Sequence, residues 1–445
     1  MTLKEDVQKL TSKWQKFFFD PISPVNIAIY RIIVGAITLE CLLIHLLADW
    51  DLYFGDYAII PIEDMISKYW FYKPFFDLML FCETEHSRWI FFWFTVVCAT
   101  MMLLGLFTRA TTFLTFICLM SLQTHFCINQ NSGDNFLRLS LFFLMFSNCG
   151  DALSIDRLIK AVRQDWRKTG FLAPLSAPWA QRLIQIQLAI AYGHTWICKI
   201  AGPQWNDGTA VYFASRYDDV MRFGIPFIMD NIWTIKILTW STLLIELFLF
   251  TLIWYRPVRY WVLLAGVALH LGIEWTMNLP MFEWLFISSF ILFIYPEDLR
   301  TFWDGVKAFI HKNIFKPATL YFDGNCLFCV RSLGLVHHLD IFGILKPVDF
   351  RKEKDLEAQG VDKNRLEEEM ILKTQNGDTL GGFKAFRWMT GRMPLLMILY
   401  PVLYLPILAQ IGDGVYKVIA ANRNSILGGK CDHDACTFTH EPKEA

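Results

Sequence analysis

The chain has 445 residues, 54% of them hydrophobic and 16% aromatic, with a formal net charge of −1 at pH 7. A near-neutral chain lacks the basic surface that nucleic acid requires, so that class of partner is set aside. Long apolar runs broken by short polar loops exclude a water-soluble globule for the first two thirds, and point to a polytopic α-helical membrane protein. The cysteines number 11, an odd count scattered through apolar stretches, which is not the pattern of a secreted disulfide framework.

Residues 1–24 form the first segment, in which Lys4, Lys9, Lys13 and Lys16 belong to an amphipathic helix ending at Pro21. The first apolar span is too long and too well flanked for a cleaved signal peptide. Residues 25–297 then read as about eight spans: Val25 to Ala48, Trp89 to Phe107, Thr112 to Ile128, Asn135 to Cys149, Leu183 to Ile200, Ile232 to Trp254, Tyr260 to Met277 and Phe282 to Tyr295. The fourth and eighth are short for a hydrocarbon core of about 30 Å. With the N-terminus inside, the inner segments hold thirteen Lys and Arg, including Arg109, Arg157, Arg182 and Arg256. The outer loops hold five: Lys68, Lys73, Arg88, Arg216 and Arg222. That bias predicts that both termini are cytoplasmic.

After a linker over 298–316 the texture changes, and residues 317–445 read as a small α/β domain with a cysteine-containing tail. Ala318 to Phe322 suits a strand, Cys326 to Leu339 a helix and Ile344 to Phe350 a second strand. Arg351 to Glu369 is heavily charged and reads as an exposed helical excursion. Met370 to Thr374, the turn Asn376-Gly377 and Thr379 to Phe383 make a hairpin. Leu395 to Ala409, interrupted by Pro401 and Pro406, suits a broken helical pair that packs on the domain or lies at a membrane surface, with a ninth span as the alternative.

The chemistry of this domain centres on Asp323-Gly-Asn-Cys-Leu-Phe-Cys329. A CxxC at a strand-to-helix junction puts the first thiol at a helix N-terminus, where free amides and the helix dipole favour the thiolate. Cys326 is then the attacking sulfur and Cys329 the resolving one. In a cytoplasmic setting such a pair works as an exchange couple, not as a structural bridge. Half of a zinc site is the alternative, with a second pair at Cys431 and Cys436 and with His433 and His440 nearby. That tail pair also fits a second thiol couple or free thiols in a flexible end. The domain resembles the DCC family of thiol-disulfide oxidoreductases on Asp323, Cys326 and Cys329, then Asp349, Gly381-Gly382 to Ala385, and Val415-Tyr416 to Arg423. The resemblance implies a thioredoxin-like fold. No proline precedes the strand at Met370, where thioredoxins shape their substrate groove with a cis-proline, so a dedicated thiol or disulfide partner is expected.

Ionisable residues inside a bilayer are costly and mark sites. Lys199 falls at the outer end of the fifth span, and His125 with Cys127 at the outer end of the third, with Asn131 and Asp134 in the next loop. His270 and Glu274 share one helix face, and Glu283 opens the eighth span. These groups fall at similar depth, as a buried reaction or quinone site would require; taken singly, each fits an interhelical hydrogen bond or a snorkelling charge equally well. Residues 20–297 resemble the horizontally transferred transmembrane domain (HTTM) family, related to vitamin K-dependent gamma-carboxylases. The resemblance rests on Gly105-Leu-Phe-Thr-Arg109, Asn131 to Asp134, Ser154-Ile-Asp156, Tyr192 to Ala210, and His270 to Phe282. It implies a base at Lys199 acting on a bound quinone of the menaquinone or vitamin K type. Where those carboxylases have a histidine after Asn, this chain reads Asn131-Ser-Gly-Asp134, and their large lumenal domain is absent, so protein carboxylation is not expected.

The sequence therefore points to a membrane-bound thiol-disulfide oxidoreductase, with a quinone or other lipid-soluble substrate in its helical part. A quinol-dependent monooxygenase and a non-catalytic scaffold or maturation partner are the alternatives. Cys326 is expected on the inner side and Lys199 near the outer, so any coupling between them has a bilayer to cross. Cys98, Cys118 and Cys149 could relay it or simply pack.

Overall fold

The computed structural model describes residues 3–426, apart from 56–57, 60–63, 65, 68–73, 126–129, 165, 167–173, 225–229, 354–355 and 358. Two units divide the chain: residues 1–156 with 174–296, and residues 157–173 with 297–445.

The first unit is helical. Its helices are α1 (Leu3–Phe19), α2 (Val25–Glu40, continued by a π turn over Cys41–Leu46), α3 (Glu85–Leu104), α4 (Thr108–His125) and α5 (Ser132–Phe146). Next comes α6 (Ile155–Arg163), whose residues from Arg157 onward count with the second unit. The first unit resumes with α7 (Trp179–Ile200), α8 (Ile232–Phe250), α9 (Arg256–Thr276) and α10 (Phe282–Ser289), the last followed by a 3₁₀ turn, Phe290–Phe293. The helix starts are set by side chains that take up otherwise unpaired amides. Thr84 and Ser87 cap α3 reciprocally, and the Asn231 side chain accepts from the amides of Trp233 and Thr234 at the start of α8.

Among the described residues, three segments are long and apolar enough to cross a membrane: Val25–Leu46, Glu85–Leu104 and Ile232–Phe250. A bent pair near the C-terminus, taken as one span, would make four. This corrects the expectation of about eight. The other five predicted spans are helical but fail for identifiable reasons. Helix α4 carries Thr108, Arg109, Thr111, Thr112, Thr115, Gln123 and Thr124; α7 carries Gln181, Arg182, Gln185, His194 and Lys199; and α9 carries Arg256, Arg259, His270 and Glu274. Helix α5 has 15 residues and α10 only 8, too short for about 30 Å at 1.5 Å per residue. Counting apolar windows of about 15 to 23 residues admits these five; helix length and polar content remove them.

The inner faces of the helices are informative. Helix α8 buries Ile235, Thr239, Thr242, Glu246 and Leu249 and exposes Trp233, Ile237, Trp240 and Leu244. Polar groups inside and large apolar groups outside reverse the pattern of a helix in water, and suit one that faces lipid. The core between the helices joins Tyr30, Leu42, Phe92, Leu122, Leu141 and Tyr192 to Leu285 and Phe286.

The second unit holds α11 (Pro296–Asn313, assigned to this unit from Glu297), then β1 (Ala318–Phe322), α12 (Leu327–Leu339), β2 (Leu345–Asp349), α13 (Lys363–Glu368), β3 (Ile371–Lys373), β4 (Thr379–Gly381) and α14 (Gly382–Thr390). A 3₁₀ segment, Pro394–Leu399, leads to α15 (Tyr400–Leu403) and α16 (Pro406–Ile426). The four strands form a mixed sheet in the order β2-β1-β3-β4, with β1 and β2 parallel and the others antiparallel to their neighbours. The parallel pair is joined through α12, which alternation of strand and helix requires.

Two features of this unit depart from the sequence reading. Among its described residues the charged stretch 351–369 is helical only at α13, and it buries Leu356, Val361 and Leu366 against Tyr321, Phe350 and Ile371, so it is a second small core and not a bare excursion. The main core, on the other sheet face, joins Leu320, Val330, Leu333, Leu372 and Met389 to Ala161 and Trp166 from far upstream. Trp166 is fully buried and donates from Nε1 to the Ala161 carbonyl at 2.9 Å. It lies so close to α12 that a Cβ at Gly334 would sit 1.9 Å from its indole nitrogen. That contact explains a glycine in mid-helix, where it otherwise costs about 1 kcal/mol.

Candidate dithiol site and the buried polar sets of the helical unit

The dithiol site forms where β1 ends. Cys326 is the N-cap residue of α12, in extended backbone, and its Sγ accepts the Cys329 amide at 3.2 Å. Both cysteines are free thiols; Cys326 is 4% exposed and Cys329 is half-buried. The hydrogen bond from the Cys329 thiol, its backbone amide and the charge of Arg423 together outweigh burial and lower the Cys326 pKa to about 7. Cys329 is pushed up, first by that same thiol contact and then by burial. A helix N-terminus stabilises negative charge on the first sulfur, so the two thiols are differentiated as attacking and resolving groups must be.

The loop is held by two carboxylates. Asp323, 7% exposed, receives Arg351 through Nε on Oδ1 and Nη2 on Oδ2, both at 3.0 Å, and also accepts the Asn325 amide. Burial pushes the Asp323 carboxyl up, yet those hydrogen bonds and the Arg351 and Arg423 charges hold it below the usual carboxylate range. Asp349, at the end of β2, accepts the Gly324 and Arg351 amides. A Cβ on Gly324 would fall 2.1 Å from an Asp349 oxygen, so only glycine lets the two strand ends approach this closely. Helix α16 completes the surroundings: the Tyr416 hydroxyl accepts the Met370 amide at 3.0 Å, and Arg423 donates to the Glu367 carbonyl. No cis peptide occurs among the described residues, and the Met370 amide is already engaged.

The helical unit sorts its predicted site residues into separate bonded sets. His270, 3% exposed, pairs through Nδ1 with Glu283 and through Nε2 with the Tyr192 hydroxyl at 2.5 Å, its ring stacked on Phe286. Lys199 pairs with Glu246 and lies 4.9 Å from the Trp205 ring, while the Thr195 hydroxyl reaches the second Glu246 oxygen at 3.5 Å. Tyr192, Thr195 and Lys199 share one face of α7. Glu274 does not join His270: it pairs with Arg222 at 2.6 Å. His125 pairs with the buried Asp77 at 2.8 Å and stacks on Phe54. Asn131 and Asp134 cap α5: Asn131 Oδ1 accepts the Gly133 amide, Asp134 Oδ2 accepts the Asn131 amide, and Gln123 donates to Asp134 Oδ1. The Asn-x-x-Asp spacing is a capping signature legible in the sequence.

Sequence reasoning missed Arg351, Glu246 and Trp166. Arg351 follows Asp349 by two residues and could have been read as its neighbour across the loop. Glu246 is one carboxylate in an apolar run, where a partner cation is required. Trp166 carries no local signal. Cys431, Cys436, His433, His440 and Cys127 lie outside the described residues. Cys98, Cys118 and Cys149 are buried free thiols, and no group of three or more metal-ligating side chains occurs among the described residues.

A dithiol at a helix N-terminus beside a mixed four-stranded sheet defines a thiol-disulfide oxidoreductase class of domain. Residues 320–429 match the family described as DCC1-like thiol-disulfide oxidoreductase. The chain therefore carries a domain of that family. It is also similar to the uncharacterized protein YitO of Bacillus subtilis (strain 168), 24% identical over 236 residues that cover 50% of this chain and 73% of that protein. No solved structure matches.

Proposed function

We propose that the chain is a membrane-bound oxidoreductase of thioredoxin-like type in which Cys326 and Cys329 exchange electrons with a partner thiol or disulfide. The Cys326 thiolate attacks a partner disulfide, forming a mixed disulfide and releasing one partner thiolate. Cys329, losing its proton, then attacks Cys326, which frees the second partner thiol and leaves the Cys326–Cys329 disulfide. Two electrons and two protons pass to the partner. The observation that carries this reading is the asymmetry of the pair, with Cys326 Sγ taking the Cys329 amide at the start of α12. The sheet order supports the thioredoxin-like reading. The test is trapping: Cys329→Ser should accumulate a mixed disulfide on Cys326 that dithiothreitol releases, and Cys326→Ser should accumulate none. Equal trapping by both variants would reject the assignment of roles.

Regeneration of the dithiol, or its oxidation, is assigned in this proposal to a quinone or other lipid-soluble substrate held in the HTTM-like helical unit. A quinol gives up two electrons and two protons in becoming a quinone, which matches the dithiol couple. The pairing of Lys199 with Glu246 on the face that also bears Tyr192 supports a polar site in that unit. Lys199→Ala should abolish quinone-linked turnover while leaving the dithiol reducible by dithiothreitol; unchanged turnover would remove the quinone from the reading. Cytoplasmic termini are part of the same proposal, and labelling of Cys326 in intact cells by an impermeant alkylating reagent would reverse them.

A further inference from the structure

Among the described residues, the segment that follows α14 leaves a line of apolar side chains exposed. Leu395, Ile398, Val402, Leu405, Ile407 and Ile411 are 45–80% exposed, and Val415 and Val418 continue the stripe along α16. Positions 407, 411, 415 and 418 fall on one helix face, and an isolated globule would not leave such a run in water. The two arms, Pro394–Leu403 and Pro406–Arg423, are bent by 112° at their break, between Leu403 and Pro406. A segment so bent does not cross a bilayer as a straight helix, and α16 also carries Asp413, Lys417 and Arg423, whose burial in hydrocarbon would be costly.

The charge around the segment selects its occupant. From Gly382 to Lys417 there are four basic residues, Lys384, Arg387, Arg392 and Lys417, against one acidic, Asp413. Arg387 lies 4.9 Å from the Tyr404 ring and Arg392 lies 3.8 Å from that of Trp388, so cations and amphipathic aromatics stand together beside the apolar stripe. That combination is what the interface of an anionic bilayer takes up: acyl chains for the stripe, headgroups for the cations, the boundary for Tyr and Trp. The same chain has three helices long and apolar enough to cross a membrane, which would keep a bilayer at hand.

We propose that residues 394–419 lie in the surface of an anionic lipid bilayer, with the apolar stripe among the acyl chains. Helix α16 then has two faces with two tasks. One meets lipid. The other supplies Tyr416 to the Met370 amide and Arg423 to the electrostatics of the dithiol. The dithiol thus works at a membrane surface, whatever reduces or oxidises it.

The test uses the full chain in liposomes of phosphatidylglycerol and phosphatidylcholine containing a phospholipid with a photoactivatable diazirine in its acyl chain. Adducts are expected on residues 395–419, falling several-fold in the paired variant Ile407→Glu with Ile411→Glu and in pure phosphatidylcholine, while those on Ile232–Phe250 stay constant. A benzophenone amino acid placed at Ile398 keeps the test decisive if the paired variant does not fold, since it should crosslink lipid. Absence of adducts on 395–419 while 232–250 is labelled overturns the proposal. So does capture of a second copy, or of another part of the same chain, by the benzophenone in place of lipid.

Discussion

The two units handle buried charge in opposite ways. In the helical unit, two deeply placed sets join side chains from different helices: Tyr192 and Glu283 on either side of His270, and Glu246 opposite Lys199. In the dithiol domain, the charges sit on loops at the ends of neighbouring strands, with Asp323 and Arg351 28 residues apart, the carboxylate buried and the guanidinium partly exposed. The first arrangement neutralises charge where water cannot; the second leaves a charge gradient beside a thiol. The His270–Glu283 pair, fully enclosed, holds structure, whereas a pair at a strand end tunes a reactive neighbour.

This contrast can be broken by substitution. Glu283→Ala leaves His270 in a buried site without its carboxylate, and a loss of about 3–5 kcal/mol is expected in unfolding of the detergent-solubilised protein. A loss below 1 kcal/mol would mean the pair is not confined. Arg351→Met should cost about 2 kcal/mol, because Asp323 keeps amide donors but loses its bidentate cation. Gly334→Ala tests the Trp166 contact and should cost about 1–3 kcal/mol through overpacking, read as a lowered Tm.

The smallest effect is electrostatic. The rate of alkylation at Cys326 should follow pH with a midpoint near 7, well under that of an ordinary thiol, and Arg423→Ala should move it upward. Because the folded pKa lies below the unfolded one, the reduced domain should gain stability as pH rises from about 7 to 9 and lose it as pH falls back through 7. An Arg423→Ala midpoint that does not move would detach α16 from the thiol chemistry.

What the sequence makes legible follows from how local each feature is. Strand β1, the α12 start at Cys326 and the hairpin at Asn376-Gly377 are written in a few adjacent residues, and each stands within a residue or two of its expected place. The span count came out lower because short windows admitted helices that are too short, as α5 and α10 are, or too rich in polar residues, as α4, α7 and α9 are, and those polar residues find partners that no window shows. Thr112 and Thr115 return their hydroxyls to their own helix, Gln181 and Gln185 donate to the Leu292 carbonyl, and Arg259 donates to the carbonyls of Ile253, Trp254 and Phe293. The His270–Glu274 expectation rested on helical spacing alone, which fixes a shared side but not a shared partner. Glu283 answered for one and Arg222 for the other.

Trp166 sets a timetable for biosynthesis. The ribosome releases this indole roughly 150 residues before the strand that begins at Ala318, and the domain core between them stays open until both exist. A fragment starting at the α11 helix would expose a vacancy the size of an indole beside Gly334. Residues 174–296 of the helical unit are translated between the two parts of this core, so the chain acquires a finished redox centre only after that stretch has been made.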